Sequence, residues 1–179
     1  MSKILILVGS PRKNGNSAAL ANAFAEGAGK HNQVETVYVA RQEVHPCIGC
    51  NACFRHPENR CFRQDGMTAI YEKLLWADMV VIASPVYFYG ISAQMKAVLD
   101  RLHNPLRKKS GVRRAALLLA AADDTPSVFD PILSQYRAIT DYLQLENVGT
   151  VLAPGVSNPG DIAGHPALQE AFALGSSIR

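Results

Sequence analysis

The chain has 179 residues, 48% of them apolar, which suits one domain with a core of its own. Lys and Arg total 18 against 15 Asp and Glu, a net charge of +3 that is too small and too dispersed for a nucleic-acid stripe or a polybasic membrane anchor. Charged residues make up only 18%, which excludes a disordered chain, and the longest early apolar run, Ile4 to Val8, falls far short of a membrane span or a signal-peptide core. The expectation is a soluble cytoplasmic protein with no nucleic-acid or membrane partner.

In chain order, the branched run Ile4–Val8 ends at Gly9-Ser10-Pro11 and predicts a buried strand. Residues 17–29 are rich in Ala, with Leu20, Ala23, Phe24 and Ala28 near helical spacing. Val34 to Val39 alternates and predicts a second strand. Met67 to Trp76 reads as a helix with Ile70, Leu74 and Leu75 on one face. Met79 to Ala83 is a third strand, stopped by Ser84-Pro85. Ile91, Met95, Val98 and Leu102 mark an amphipathic helix, and Ala115 to Ala122 a fourth strand. Thr125-Pro126 has the form of an N-cap followed by proline at the first helical position, before a stripe of Phe129, Ile132, Leu133, Tyr136, Ile139 and Leu143. Val148 to Leu152 is a fifth, weaker strand, and His165-Pro166 opens a last helix whose apolar residues are Leu168, Phe172 and Leu174.

Strands alternating with helices imply a parallel sheet covered on both faces. No internal repeat, low-complexity stretch or linker interrupts residues 1–179, so one domain is expected. Residues 40–65 are too long for an ordinary connection, and loops of that length are usually functional. All four cysteines lie in it, at 47, 50, 53 and 61. Such clustering in a cytosolic chain points to metal or redox chemistry rather than a disulfide framework.

Ligands of open parallel sheets bind beyond the carboxyl ends of the strands. The first such end, residues 9–17, offers a helix start, Ser10, Asn14, Asn16, Ser17 and the cations Arg12 and Lys13. A phosphate requires such donors, positive charge and a helix dipole. The segment is no dinucleotide fingerprint, because G-x-G-x-x-G is absent. Nor is it a nucleotide P-loop, because five residues separate Gly9 from Gly15 and Asn16 stands where that motif has lysine. The competing reading is a polar turn with Ser17 or Asn16 as a helix cap.

Gly-Ser-Pro-Arg-Lys-Asn-Gly-Asn-Ser at 9–17 resembles the phosphate loop of the NAD(P)H-dependent FMN reductase branch of the flavodoxin-like superfamily. Ala77-Asp78, Ser84 to Gly90, Lys96 with Asp100-Arg101, and the segment from Cys47 to Asp65 agree with that branch, and with the iron–sulfur flavoproteins within it. The resemblance continues through Gly155, Gly160 to Ile162, His165-Pro166 and Leu174-Gly175, and so runs over essentially the whole chain.

The resemblance implies a flavodoxin-like three-layer α/β sandwich with a five-stranded parallel sheet in the order 2-1-3-4-5. FMN would sit at the switch point between the first and third strands. Ser10, Arg12, Asn14, Asn16 and Ser17 would hold its phosphate, a near-dianion that favours charge-assisted donors. Pro85, Val86, Tyr87, Phe88, Tyr89 and Gly90 would pass along the flavin ring, with backbone groups toward its polar edge and aromatic surface beside it. Three consecutive aromatics can also be packing residues. Ala122 and Asp123 would form the third wall. Asp123 and Asp124 depart from the small residues common there, and two carboxylates would oppose added negative charge on the flavin. They can instead solvate the loop and cap the helix at Pro126. Lys96, Asp100 and Arg101 read as structural, with a helix-face pair at 96 and 100, and Trp76, Met79 and Met95 read as core. None of the five histidines pairs with an obvious catalytic Ser or Cys, and no catalytic side chain is expected, since a flavin enzyme binds, orients and tunes its cofactor.

Cys47, Cys50, Cys53 and Cys61 read C-x2-C-x2-C-x7-C, which suits a [4Fe–4S] cluster and lacks the paired knuckles of zinc sites. Flavin reductases of the branch also carry such cysteines as pocket or interface thiols. His45, Arg55 and His56 could be outer donors or only loop polarity. The expected activity is FMN-dependent oxidation of NADH or NADPH, with electrons passed to a quinone, a flavin or another small acceptor. The alternatives are an iron–sulfur flavoprotein that carries electrons between protein partners and a zinc-stabilised binding module. The branch is usually dimeric or tetrameric, with residues 40–65 as the candidate contact.

Overall fold

The computed structural model describes residues 1–179. The elements follow in the order β1 (Lys3–Val8), α1 (Asn16–Ala28), β2 (Gln33–Tyr38), α2 (Ala52–Arg55), α3 (Met67–Trp76), β3 (Met79–Tyr87), β4 (Gly90–Ile91), α4 (Ala93–Arg101), β5 (Arg114–Ala120), α5 (Asp130–Leu143), β6 (Glu146–Ala153) and α6 (Pro166–Ser177). The main sheet runs β2-β1-β3-β5-β6, all parallel, with β4 paired antiparallel to β3. This is the expected order 2-1-3-4-5. The sixth strand is a two-residue hairpin partner at the rim, in a stretch the periodicity assigned to the start of a helix.

Strand alternation divides the core in two. Ile4, Ile6, Val8, Met79, Val81, Ala83, Ala116 and Leu118 face one side and pack under α1 and α6. Leu5, Leu7, Val80, Ile82, Leu117 and Leu119 face the other and pack under α3, α4 and α5. Covering on both faces is why these strands read as unbroken apolar runs. The edge strand β2 buries only Val37. Truncating a fully buried residue such as Leu7 to Ala would cost about 2–5 kcal/mol.

Five expectations are corrected. Leu75 is 41% exposed, and Trp76 is only half-buried with the Lys3 ammonium over its ring; Met79 and Met95 are core as expected. Residues 126–129 form a 3-10 turn, and the α-helix starts at Asp130. Thr125 gives no side-chain cap; the Asp123 carboxylate accepts the Thr125 N–H instead, at 2.8 Å. The buried face of α6 is Ala167, Ala171 and Gly175, with the larger Leu168, Phe172 and Leu174 at its margins. The reason is the closeness of α1. A Cβ on Gly175 would lie 2.2 Å from the Phe24 carbonyl oxygen, and one on Gly27 2.2 Å from that of Phe172. Only small residues allow two helix backbones to approach so closely.

Candidate cofactor site

Three connections meet at the carboxyl end of the sheet. They leave β1, β3 and β5, which are neighbours in the sheet. The chain turns from β1 to β2 on one side and to β3 on the other, so the gap beside β1 is the topological switch point.

The first connection is bound to the sheet by its backbone: the Gly9 N–H donates to the Ala83 carbonyl at 2.7 Å. Ser10 is buried, and its hydroxyl accepts from the Arg12 N–H at 3.2 Å, which curls residues 11–14 into the open. Gly15 stands at the N-cap of α1, no side chain caps that helix, and no acidic residue occupies its first turn. An uncapped helix start with cations beside it is a ready anion site. Arg12, Lys13 and Asn14 are exposed around it, and Ser17 is buried in its first turn.

Asn16 serves as a strut. Its Nδ2 donates to the Asn158 carbonyl at 2.9 Å, and its Oδ1 accepts from the Gly160 N–H at 3.2 Å. Arg12 Nη1 donates to the Ser157 carbonyl at 2.9 Å. The Asp161 carboxylate accepts from the N–H groups of Ser157 and Asn158, so residues 157–161 form a rigid backing for the first loop.

The second connection is the hairpin of β3 and β4. Pro85, Val86 and Gly90 are half-buried, while Tyr87, Phe88 and Tyr89 are exposed, Phe88 by 98%. Phe88 and Tyr89 both have positive φ, 48° and 63°, in the two-residue turn that joins Tyr87 to Gly90. Turns of that kind normally take Asn or Gly. An aromatic pair in left-handed backbone stores strain, and such strain gathers at ligand sites. The two rings meet edge to face, 6.0 Å apart. Ser84 and Ser92 fasten the hairpin: Ser84 Oγ accepts the Ser92 N–H at 3.0 Å, and Ser92 Oγ donates to the Gly9 carbonyl at 2.8 Å. Ser92 also caps α4 through the Met95 N–H.

The third connection carries Ala122 and Asp123, both exposed. The Asp123 carboxylate is held below its ordinary range by hydrogen bonding from Thr125, and its backbone carbonyl accepts from the Gly155 N–H. Asp123 is thus tied into its own turn, and Asp124 is exposed beside it.

The cysteine segment is a separate extension. Cys47 and Cys50 are exposed, Cys53 and Cys61 half-buried, and all four are free thiols. No three metal-ligating side chains converge on one point. The thiols still share a neighbourhood: burial pushes the Cys53 thiol up, and Cys61, Cys47 and Cys50 add to that rise. Left-handed residues at Gly49 and Asn51 curl the chain, and the Gly49 N–H points to Cys47 Sγ at 3.4 Å. Arg55 donates to the Cys50 carbonyl and His56 Nδ1 accepts the Glu58 N–H, so both serve the loop's own backbone. At its base, Asp65 accepts from Arg101 Nη1 at 2.6 Å and from the His45 N–H at 3.0 Å. Burial opposes the Asp65 charge, but the Arg101 hydrogen bond and the backbone donors outweigh it and hold the carboxyl below its usual range.

The NADPH-dependent FMN reductase family matches residues 2–125, more than half of the chain. The chain belongs to this family. It is similar to an iron–sulfur flavoprotein of Methanocaldococcus jannaschii, 40% identical over 109 residues that cover 59% of this chain and 53% of that one. A Bacillus subtilis protein named as an NAD(P)H-dependent FMN-containing oxidoreductase is 28% identical over 183 residues, 96% of each chain. The chain spans 51% to 60% of the length of three archaeal iron–sulfur flavoproteins that it matches. Among solved structures, an NAD(P)H:quinone oxidoreductase from Methanothermobacter marburgensis superposes with a TM-score of 0.75 over 98% of this chain and 96% of that one. At 17% identity that likeness concerns the fold.

Sequence reasoning missed Ser92, the 157–161 backing and the Asp65–Arg101 pair. Ser92 had a signal, a serine three residues before Met95 near the head of the helical stripe. The pair left no mark in the spacing, since its members lie 36 residues apart, although each stands among the positions that carry the family resemblance.

Proposed function

We propose that the protein is an FMN-dependent NAD(P)H oxidoreductase that passes electrons to a quinone, a flavin or another small acceptor. The observation that carries this reading is the convergence of the uncapped α1 start, with Arg12 beside it, and the exposed Tyr87–Tyr89 turn at neighbouring strand ends. The donor set suits a phosphomonoester: Ser10, Arg12, Asn14 and Ser17 would hold the FMN phosphate, with Asn16 bracing the loop. The β3–β4 turn and Ala122 would flank the ring. Bound FMN would supply the two-electron hydride chemistry, and the chain's part is binding, orientation and tuning. Asp123, committed to the Thr125 N–H, would keep its charge in its own turn. Exposed aromatic faces would guide the nicotinamide and the acceptor to the same open side in alternation.

The second reading, an electron carrier between proteins, is favoured by the four neighbouring thiols. Cys47, Cys50, Cys53 and Cys61 are the soft donor set that a [4Fe–4S] cluster takes. The exposed Ile48, Phe54 and Phe62 suit this segment to contacts in a homodimer or homotetramer. Stopped-flow mixing of FMN-loaded protein with NADH and with NADPH tests the choice. Bleaching of the flavin absorbance, with parallel-line kinetics against a quinone, supports the enzyme. Bleaching by neither nucleotide removes it and leaves the carrier.

A further inference from the structure

The opposite end of the sheet encloses a second concavity. The ends of α3 and α4, the 3-10 turn at residues 105–109 and the approaches to β5 and β6 surround a cavity of about 410 Å³. That size lies within the range of small-molecule sites. The cavity reaches Val80 at the start of β3, whereas the aromatic turn of the cofactor site leaves the other end of that strand. The two sites are therefore separate.

Its floor is apolar, with Leu74, Val80, Leu102 and Val112 among the lining residues. Arg107, Lys108 and Arg113 also line it, and no Asp or Glu does. None of these three cations has a carboxylate partner in the chain. Arg107 and Arg113 are fixed by backbone carbonyls, of His103 at 2.7 Å and of Val112 at 2.8 Å. Lys108 is exposed and makes no such commitment.

One buried side chain is left open. Asn104 is 4% exposed, and its Oδ1 accepts the Leu106 N–H at 2.8 Å, which sets the orientation of the amide. Its Nδ2 is buried and completes no hydrogen bond of good geometry, with the Tyr71 hydroxyl as its loose side-chain neighbour. A buried donor held only by so loose a contact gains from a well-placed acceptor. The neighbouring Tyr71 hydroxyl donates to the Arg101 carbonyl at 2.9 Å, and burial pushes its ionisation upward, so it places no negative charge there.

We propose that this cavity binds a small amphipathic organic anion, an apolar body bearing a carboxylate, sulfonate or phosphate. The body rests on the Leu74–Leu102 floor, an acceptor oxygen meets Asn104 Nδ2, and the charge faces Lys108 between the two fixed guanidinium groups. Apolar burial supplies affinity, and the unpaired cations select charge.

The test uses protein saturated with FMN, so that the cofactor site is filled. The probes are 1-anilinonaphthalene-8-sulfonate and its uncharged counterpart N-phenyl-1-naphthylamine, followed by fluorescence. The sulfonate should bind at one saturable site. Lys108→Glu should weaken it about fivefold and leave the neutral amine unchanged. Asn104→Asp keeps the Leu106 contact but replaces the open donor with an anion, and should weaken the sulfonate about tenfold. Absence of saturable sulfonate binding overturns the proposal, as does affinity unmoved by Lys108→Glu, or an equal loss for both probes. Lys108 is exposed, so its variant reports even where Asn104→Asp fails to fold.

Discussion

Arg101 and Asp65 form a buried ion pair that joins α4 to the base of the cysteine segment, with Nη1 and Oδ2 2.6 Å apart and both side chains at most 5% exposed. Arg101 Nη1 also donates to the His45 carbonyl, and Asp65 accepts the N–H groups of His45 and Met67. Both ends of the long loop therefore close on one contact. Arg101 Nε and Nη2 have no partner, so the guanidinium depends on Asp65 for its compensation.

Asp65→Asn should destabilise the protein by about 3–5 kcal/mol, because it leaves a buried cation unpaired. Urea unfolding of the variant against wild type measures this.

The same pair sets an acid limit. The folded Asp65 pKa lies below its unfolded value, so its contribution is fully present above the unfolded value, about 4, and is lost as pH falls through the folded one. Wild-type urea midpoints should drop as pH falls below about 4, and Asp65→Asn should remove that part of the slope. Parallel slopes for the two proteins would assign the acid sensitivity to other carboxylates.

Arg12→Ala should weaken FMN about ten- to a hundredfold, the worth of one hydrogen bond to a charged group. Riboflavin lacks the phosphate and should bind both proteins almost equally. Equal losses for the two ligands, measured by flavin fluorescence quenching, would trace the effect to the broken Arg12–Ser157 contact instead.

Phe88→Gly should separate strain from function. Phe88 is 98% exposed with φ of 48°, so glycine loses no burial and relieves the left-handed backbone. The apo-protein should gain about 0.5–1 kcal/mol in urea unfolding. If the aromatic turn guides the nicotinamide, flavin reduction by NAD(P)H should slow in the same variant. Unchanged reduction would leave Phe88 as a strained surface residue alone.

Anaerobically purified protein should carry about four irons per chain if the cysteine segment holds a [4Fe–4S] cluster. Cys50→Ala should lose the iron and keep FMN, because the hydrogen bonds made around the cysteines stay within their own segment. Iron-free protein, after attempted reconstitution, that still turns over at full rate would leave the four cysteines as pocket or interface thiols.

The fold was legible in the sequence because its strands are covered on both faces. Ile4–Val8, Met79–Ala83 and the Ala115 run must be apolar throughout, and their alternation with helices admits few topologies. The Gly9–Ser17 loop was legible as a candidate anion site because such a site at a helix start needs its donors in one short stretch. The left-handed aromatic turn was not, because local propensity opposes it, and the long-range Ser84–Ser92–Gly9 hydrogen bonds help the β3–β4 pairing to fasten that hairpin. The small-residue face of α6 was hidden for a related reason. Size suggested Phe172 and Leu174, but the approach of α1 to Gly175 decided which residues could lie between the helices. Residue type and spacing determined the layers and marked the candidate anion loop, and the family resemblance supplied the strand order. Contacts between residues far apart in the chain, Asn16 with Asn158 and Asp65 with Arg101, decided how the loops are held, because such pairs leave no periodic mark on either segment.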